Sequence, residues 1–414
     1  MSKGFKETEI GLIPEEWEVK KIGDVCQQVR NSFNPNEKDI RTYIGLEHIN
    51  EGSLTLNGVG SSSDVKSGKF VFLKGQILFG KLRPYFRKVY RPDFDGVCST
   101  DILVIDKKDD YNNGFLFYFF ANPLIIDIAT QSSEGTKMPR ASWKYLTELK
   151  FAFPNFKEQK AISDVLYVLD QKIHLNHQMN QTLEKIGENL FRHWFVHFEF
   201  PNSEGRPYKS SGGEMVDSEL GEIPKGWEVG KFGKIVDNFD KKRIPLSKKQ
   251  RESRKGQYPY YGATSIMDYV DDFLFDGTYV LMAEDGSVID DGEKPVLQYV
   301  WGKFWVNNHA HVLKGQNGIS DEFIYLLLKN TNIKHLVTGA VQLKINQKNM
   351  NNLQVVIPDL DILSKFSEII KPLFAKYRVC SDENETLSQL RDSLLPKLMS
   401  GKIRVNISEE AAAK

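Results

Sequence analysis

Between Glu158 and Trp194, apolar or small residues step by four and three through Ile162, Leu166, Leu169, Ile173, Asn176, Asn180, Leu183, Gly187, Leu190 and Trp194. This is the heptad seam of a coiled coil. Adding 204 to each number gives Phe366, Ile370, Leu373, Tyr377, Cys380, Asn384, Leu387, Arg391, Leu394 and Leu398, so the seam returns near the C-terminus. Neither helix can hide such a stripe by itself, and the economical solution is that the two copies pack on each other as a paired rod. From first to last seam position is roughly 33 residues, or about 50 Å at 1.5 Å per residue. Asn176, Asn180 and Asn384 form polar layers near the middle, where buried asparagine fixes register at some cost in stability. The plainer alternative is two core helices in unrelated places.

The rest of the chain repeats too. Thr8–Val25, TEIGLIPEEWEVKKIGDV, returns as Ser218–Val236, SELGEIPKGWEVGKFGKIV, at an offset of 210. Gly135-Thr-Lys-Met-Pro-Arg140 precedes FAFPNFKEQ, and Gly339-Ala-Val-Gln-Leu-Lys344 precedes VVIPDLDIL, with Pro154 and Pro358 again 204 apart. The copies therefore share their ends and differ between them, at 26–134 and 237–338, and it is there that function must differ. Runs rich in Val, Ile, Phe, Tyr and Thr at Lys69–Leu78, Gly96–Ile105, Thr278–Ala283 and Pro295–Val306 predict strands. Phe115–Asp127 and Asp321–Lys329 read as short helices on them, and Asn202–Ser218 as a polar linker. The divisions expected are 1–155 and 218–358 as recognition domains, 156–200 and 359–405 as the long helices, 201–217 as linker and 406–414 as tail.

A chain of 414 residues, 40% hydrophobic and 12% aromatic, has material for two or more cores. The N-terminus is polar and the longest apolar runs are too short to span a bilayer, so no membrane association and a cytoplasmic, prokaryotic location are expected. Cys26, Cys98 and Cys380 are odd in number and far apart, which suggests neither disulfides nor a zinc site. The 55 basic and 55 acidic residues cancel. Locally they do not. Lys66–Arg91 carries eight cations and no acid, Lys241–Lys255 carries eight against Glu252 alone, and Asp268–Glu293 is acidic. Segregation of this kind is the footprint of a surface that meets phosphates.

Catalytic motifs are weak throughout. Gly75–Leu82 is one residue from a phosphate-binding loop but has Leu82 where Mg²⁺ needs Ser or Thr. His309-Ala-His311 could place two ligands on one strand face, yet no carboxylate or Cys with matching spacing accompanies them, and a packed pair is the expectation. Glu18-Val-Lys20 offers a nuclease-like carboxylate and lysine, but its repeat is Glu228-Val-Gly230 and no upstream Asp pair exists. No nucleophile, base and orienter set is evident. The basic segments carry more. Lys81, Arg83, Tyr85, Arg87 and Lys88 interleave cations with aromatic rings, and Lys241, Lys242, Arg243, Lys248, Lys249, Arg251, Arg254 and Lys255 are read as one exposed loop. Lys supplies phosphate charge and Arg can also grip a guanine edge.

These residues carry a family resemblance: the chain resembles a DNA specificity subunit of a Type I restriction-modification system. The matching stretches are GLIPEEWEVKKIGDV and GEIPKGWEVGKFGKIV, GQILFGKLRPYFRKV followed by GVCSTDILVI, WVNNHAHVL, and GTKMPRASWKYLTELKFAFPNFKEQ at the passage into the helix. Pro154-Asn-Phe departs from the family in lacking a second proline, and the second copy has Gln342-Leu343-Lys344 where the first has Lys137-Met-Pro139. The resemblance implies an α+β fold of two pseudo-twofold-related, mixed α/β target recognition domains separated by two long antiparallel helices forming a coiled coil. It implies that each domain reads one half of a split double-stranded DNA site and that the helices set the unread spacer. It further implies two methyltransferase subunits as partners, with restriction and translocase subunits in the full complex. S-adenosylmethionine, ATP and Mg²⁺ would then belong to those partners, with no cofactor or metal in this non-catalytic chain. The residues expected on DNA add Lys137, Arg140 and Lys344 to the basic segments. Those expected between the helices are Ile162, Leu166, Leu169, Ile173, Asn180, Leu183, Leu190, Phe366, Ile370, Leu373, Asn384, Leu387 and Leu394. The competing readings are a repeat-built assembly scaffold with no sequence-specific DNA binding, and a fused enzyme carrying its own catalysis.

Overall fold

A computed structural model describes residues 4–132, 139–339 and 342–405. The chain divides into two compact units, one formed by residues 1–176 with 382–414 and the other by 177–381. The two long helices, Phe156–Phe191 of 36 residues and Leu360–Met399 of 40, each begin in one unit and end in the other. Both start the same way, with a proline followed by a capping side chain. Asn155 Oδ1 accepts the Glu158 amide at 3.0 Å, and Asp359 Oδ1 accepts the Asp361 amide at 2.8 Å.

In the first unit the helices pair antiparallel, since partner numbers fall on one as they rise on the other. Arg391, 3% exposed, donates to Asp170 Oδ1 at 2.9 Å; Asn384 donates to the Ile173 carbonyl at 3.3 Å; Asn176 donates to Glu383 Oε2 at 2.8 Å. Tyr118 reaches across to give Asp170 Oδ2 its hydroxyl proton at 2.6 Å, tying a short helix to the rod. Ile162, Leu166 and Ile173 are buried there, and Leu169, Leu387 and Leu394 half-buried. In the second unit the same antiparallel sense holds. Asn180 donates to Ser381 Oγ at 2.8 Å, and Phe191 packs against Phe366 with ring centroids 6.3 Å apart. Leu183, Phe366 and Ile370 are buried and Leu190 and Leu373 half-buried. At Gly187 an added Cβ would lie 3.1 Å from Ile370 and 3.2 Å from Phe374, so the small residue permits close approach.

Each unit sets one antiparallel and one mixed sheet beside its share of the helices. The first has a four-stranded sheet in the order Val89–Tyr90, Ile77–Gly80, Ile102–Lys107, Cys26–Val29, and a five-stranded one ordered Ser32–Phe33, Lys69–Phe72, Gly96–Cys98, Thr42–Ile44, Gly60–Ser61. The second repeats the plan with Val236–Asn238, Ala310–Gly315, Tyr279–Ala283 and Leu297–Val300, then Ile266–Val270, Lys255–Tyr261, Lys303–Val306 and Phe275–Asp276. Three runs expected as single strands are each broken and their halves sent to different sheets. Lys69–Leu78 turns at Gly75 (φ 84°), Pro295–Val306 at Gly302 (φ 75°), and Gly96–Ile105 at Ser99–Asp101. A left-handed glycine costs little and redirects the chain. The helix expected over Phe115–Asp127 likewise ends at Ala121, because Pro123 cannot continue it; Asn122 then caps a second helix, Pro123–Gln131.

The first unit is closed by its own chain ends. Glu158, 1% exposed, accepts the Trp17 indole N–H at 2.9 Å and Arg404 Nε at 2.6 Å, while Arg404 also reaches Glu16 at 2.8 Å. Leu395, Leu398 and Met399 share one core with Ile13 and Trp17. The segment expected as a polar linker is mostly exposed and is anchored to the second unit through Tyr208. Tyr208 stacks on Phe200 at 4.5 Å and Phe200 on Trp227 at 4.9 Å, and Tyr208 Oη donates to the Glu214 carbonyl. No described helix is long and apolar enough to cross a membrane.

Cys26, Cys98 and Cys380 are free and buried, and burial pushes the Cys26 and Cys98 thiols up to about 12. A thiol reagent at pH 8 should therefore label the native protein slowly and the urea-unfolded protein at once. The Asp170–Arg391 pair makes a sharper prediction. Asp170→Ala takes from the buried guanidinium its partner on the other helix, leaving only the more exposed Asp392 at 2.9 Å, and should cost about 3 kcal/mol in chemical denaturation, whereas Asp170→Leu with Arg391→Met should recover most of it.

Candidate nucleic-acid interface

In both units three backbone segments converge at the end of a buried central strand. In the first, the Lys81 amide donates to the Asp101 carbonyl (2.9 Å), the Ala141 amide to the Lys81 carbonyl (2.8 Å) and the Arg83 amide to the Pro139 carbonyl (2.8 Å), with Leu82 bridged to Arg140. In the second, the Glu284 amide donates to the His309 carbonyl (2.8 Å), the Ile345 amide to the Glu284 carbonyl (2.9 Å) and the Gly286 amide to the Leu343 carbonyl (3.0 Å), with Asp285 bridged to Lys344. The hydrogen bonds match one for one. Lys81-Leu82-Arg83 thus corresponds to Glu284-Asp285-Gly286, Asp101 to His309 and Arg140 to Lys344.

The same backbone carries different chemistry. Gly286 has φ 81°, a left-handed conformation natural to glycine; at the matching place the first unit has Arg83 with φ 51°. Arg87 is left-handed as well, at 53°, and the two arginines bracket a tight turn, Pro84–Phe86, in which Tyr85 is exposed. A left-handed non-glycine residue costs about 1–2 kcal/mol, and such strain concentrates at functional positions. Lys88 is held by the Leu46 carbonyl at 2.8 Å, and Arg140 by Asp101 at 3.1 Å. Lys137 lies outside the described residues. The near phosphate-loop is no loop: Ile77–Gly80 is a wholly buried strand. Glu18 and Lys20 pair with each other at 2.9 Å on a strand hydrogen-bonded to Lys150–Phe153.

The second basic segment differs from its expectation. Lys241–Lys255 is not one exposed loop but a turn at Asp240–Lys242, a helix at Lys248–Ser253 and the start of a strand at Lys255. Four of its cations are taken by the acids that looked segregated in sequence. Arg251 and Lys255 both pair with Asp268, whose carboxyl is held low chiefly by the Lys255 hydrogen bond. Arg254 pairs with Asp271 at 2.9 Å and lies over the Trp305 ring. Arg243, its side chain 11% exposed, reaches Glu284 at 2.8 Å, Asp240 at 3.5 Å and the Ala310 carbonyl at 2.6 Å. Lys241, Lys242, Lys248 and Lys249 remain on the surface.

The carboxylates missing from the neighbourhood of the two histidines in sequence arrive from elsewhere in the chain. His311, 1% exposed, meets Asp240 Oδ2 at 2.6 Å through Nδ1 and the Ile345 carbonyl at 2.9 Å through Nε2. Asp240, Glu284 and His311 are close enough to hold a cation. Arg243 already supplies the positive charge there. Burial would raise both carboxyls, but His311, Arg243 and the Val312 amide hold Asp240 low, and Arg243, His311 and Lys344 do so for Glu284. His309 instead points outward, 45% exposed, with Nδ1 within 2.8 and 2.9 Å of the two Asp285 oxygens. Lys344 pairs with Glu284 at 3.2 Å. The pairings of Asp101 with Arg140 and of Asp285 with His309 are not legible in the sequence, because the matched positions share no residue identity.

Residues 14–185 and 224–389 match the family model described as the Type I restriction modification DNA specificity domain. Over 440 aligned residues the chain is 27% identical to the Type I restriction enzyme MjaIX specificity subunit of Methanocaldococcus jannaschii, covering 97% of this chain and 96% of that protein. It is 23% identical to the HindI specificity subunit of Haemophilus influenzae, covering 94% and 100%. The crystal structure of a Type-I restriction-modification S subunit from M. genitalium shares the fold, with a TM-score of 0.55 at 17% identity over 99% of this chain and 100% of that one.

The ion pairs predict opposite outcomes for two sets of cations. Arg243→Ala should lower stability by about 3 kcal/mol, because the largely enclosed Asp240 and Glu284 carboxylates lose the guanidinium they share and keep only His311 and Lys344. Lys248→Ala with Lys249→Ala should stay within about 0.5 kcal/mol of the parent in the same denaturation measurement.

Proposed function

Because this chain belongs to the Type I restriction-modification DNA specificity family, we propose that each of its two units reads one half of a bipartite double-stranded DNA site, with the helical pair setting the unread spacer. The chain performs no catalysis in this reading. Adenine methylation and remote cleavage are done by methyltransferase and restriction subunits, which carry S-adenosylmethionine, ATP and Mg²⁺.

The observation that carries the proposal is Arg83. Where the second copy satisfies a left-handed turn with Gly286, the first keeps a cationic side chain at a steric cost. Stability does not explain that choice, and a contact to phosphate or to a guanine edge does. Arg87, Tyr85, Lys81, Lys88, Lys137 and Arg140 are assigned to the same surface. In the second unit Lys241, Lys242, Lys248, Lys249 and Lys344 are assigned to phosphates, while Arg243, Arg251, Arg254 and Lys255 act through the turns they pin.

Each long helix also leaves an outer apolar stripe. In the first unit Val165, Val168, Leu175 and Leu390 are exposed, and in the second Met179, Ile186, Ile369 and Val379. Exposed apolar positions repeating at heptad spacing suit docking helices better than water, and we assign them to the methyltransferase subunits.

Co-expression with the cognate methyltransferase subunit, followed by single-molecule sequencing of methylated adenines, should give a split motif of two short halves. A stable complex with no methylation would favour the scaffold reading. Arg83→Gly should leave stability within about 1 kcal/mol, since relief of strain offsets the added chain freedom. It should weaken DNA binding and reduce the salt slope by about one if Arg83 meets a phosphate.

A further inference from the structure

At the paired backbone junctions, the position after the short turn is Asp101 in the first unit and His309 in the second. The surrounding charges are rearranged to suit. In the first unit Asp101 is occupied by Arg140 at 3.1 Å. In the second, the residue matching Arg140, Lys344, turns to Glu284 at 3.2 Å, so Asp285 is free to hold an imidazole. Both Asp285 oxygens lie within hydrogen-bond distance of His309 Nδ1, and the aspartate is itself only 19% exposed. The buried group beneath, Asp240, Glu284, His311 and Arg243, fixes the strand end from which Asp285 projects. The His309 amide is in turn held by Asn307 Oδ1 at 2.8 Å, which sets the turn.

From this geometry we infer that His309 is a base-reading residue of the second half-site and Asp285 its positioning residue. This rests on the DNA-reading proposal above. A carboxylate that accepts from Nδ1–H fixes the ring plane and the tautomer, as a carboxylate behind a functional histidine generally does. With Nδ1–H committed to Asp285, Nε2 of the uncharged ring is the atom left to accept a hydrogen bond. In the major groove the matching donors are the exocyclic amines of adenine N6 and cytosine N4. An exposed histidine without an orienting partner would rotate freely and read nothing. Here the rotation is removed before any ligand arrives, which lowers the ordering cost of binding.

The test is the methylation motif of the full chain co-expressed with its methyltransferase subunit, compared with that of His309→Ala, His309→Asn and Asp285→Asn. His309→Asn keeps a donor for Asp285 while removing Nε2, so it separates loss of the reader from loss of the fold. The expected result is that both His309 variants relax one adenine or cytosine position of a single half, with about ten-fold or greater loss of discrimination there. The other half and the thermal midpoint should be unchanged. Asp285→Asn should relax the same position less. Failure of the parent chain to give any split motif would sink the DNA-reading proposal itself. A parent motif retained unchanged in both His309 variants would overturn only the inference about His309. So would a drop in salt slope with an intact motif, which marks a phosphate contact, and relaxation at a guanine or thymine, which excludes an acceptor at Nε2.

Discussion

The antiparallel pairing of the two long helices is the interaction on which the rest depends. Each unit contains part of both helices, so neither unit's core is complete with one helix alone. Leucine and isoleucine at heptad spacing supply the attraction, while Asp170–Arg391, Asn384 with the Ile173 carbonyl, and Asn180 with Ser381 are polar contacts that fit only one register. A seam of leucine alone would bind as well and specify less. In each unit the sheets pack beside a helix pair whose register these contacts fix.

Much of this was legible in sequence because a heptad repeat and a tandem copy are both periodic, and periodicity survives without knowledge of contacts. The polar layers at Asn176, Asn180 and Asn384 could be placed for the same reason. Strand boundaries were less legible, since a run such as Lys69–Leu78 is apolar on both sides of Gly75 and only the backbone shows the turn. Charge was the least legible. Arg243, Arg251, Arg254 and Lys255 look like a free basic loop until Glu284, Asp268 and Asp271 fold onto them, and sequence distance conceals those partners.

The two junctions show how a duplicated domain diverges without changing its backbone. Six hydrogen bonds are kept in matching pairs, yet lysine faces glutamate, arginine faces glycine and aspartate faces histidine at equivalent positions. Main-chain amides and carbonyls are indifferent to side-chain identity, so the scaffold persists while every outward group is replaced. A buried tier that exists in the second unit, built on His311 and Arg243, stiffens the strand end that its smaller Gly286 would otherwise loosen.

The clasp of Trp17, Glu158 and Arg404 bears on how the protein is made. The core around Ile13 and Trp17 takes Leu395, Leu398 and Met399 from the far end of the chain. A ribosome adding residues at about 5–20 per second needs roughly 10–40 s for the two hundred or so residues of the intervening unit. During that interval the nascent first unit presents an aromatic-rich, unfinished face. The second unit, whose residues run without interruption from 177 to 381, has all of its chain in hand before the first unit has its last core residues.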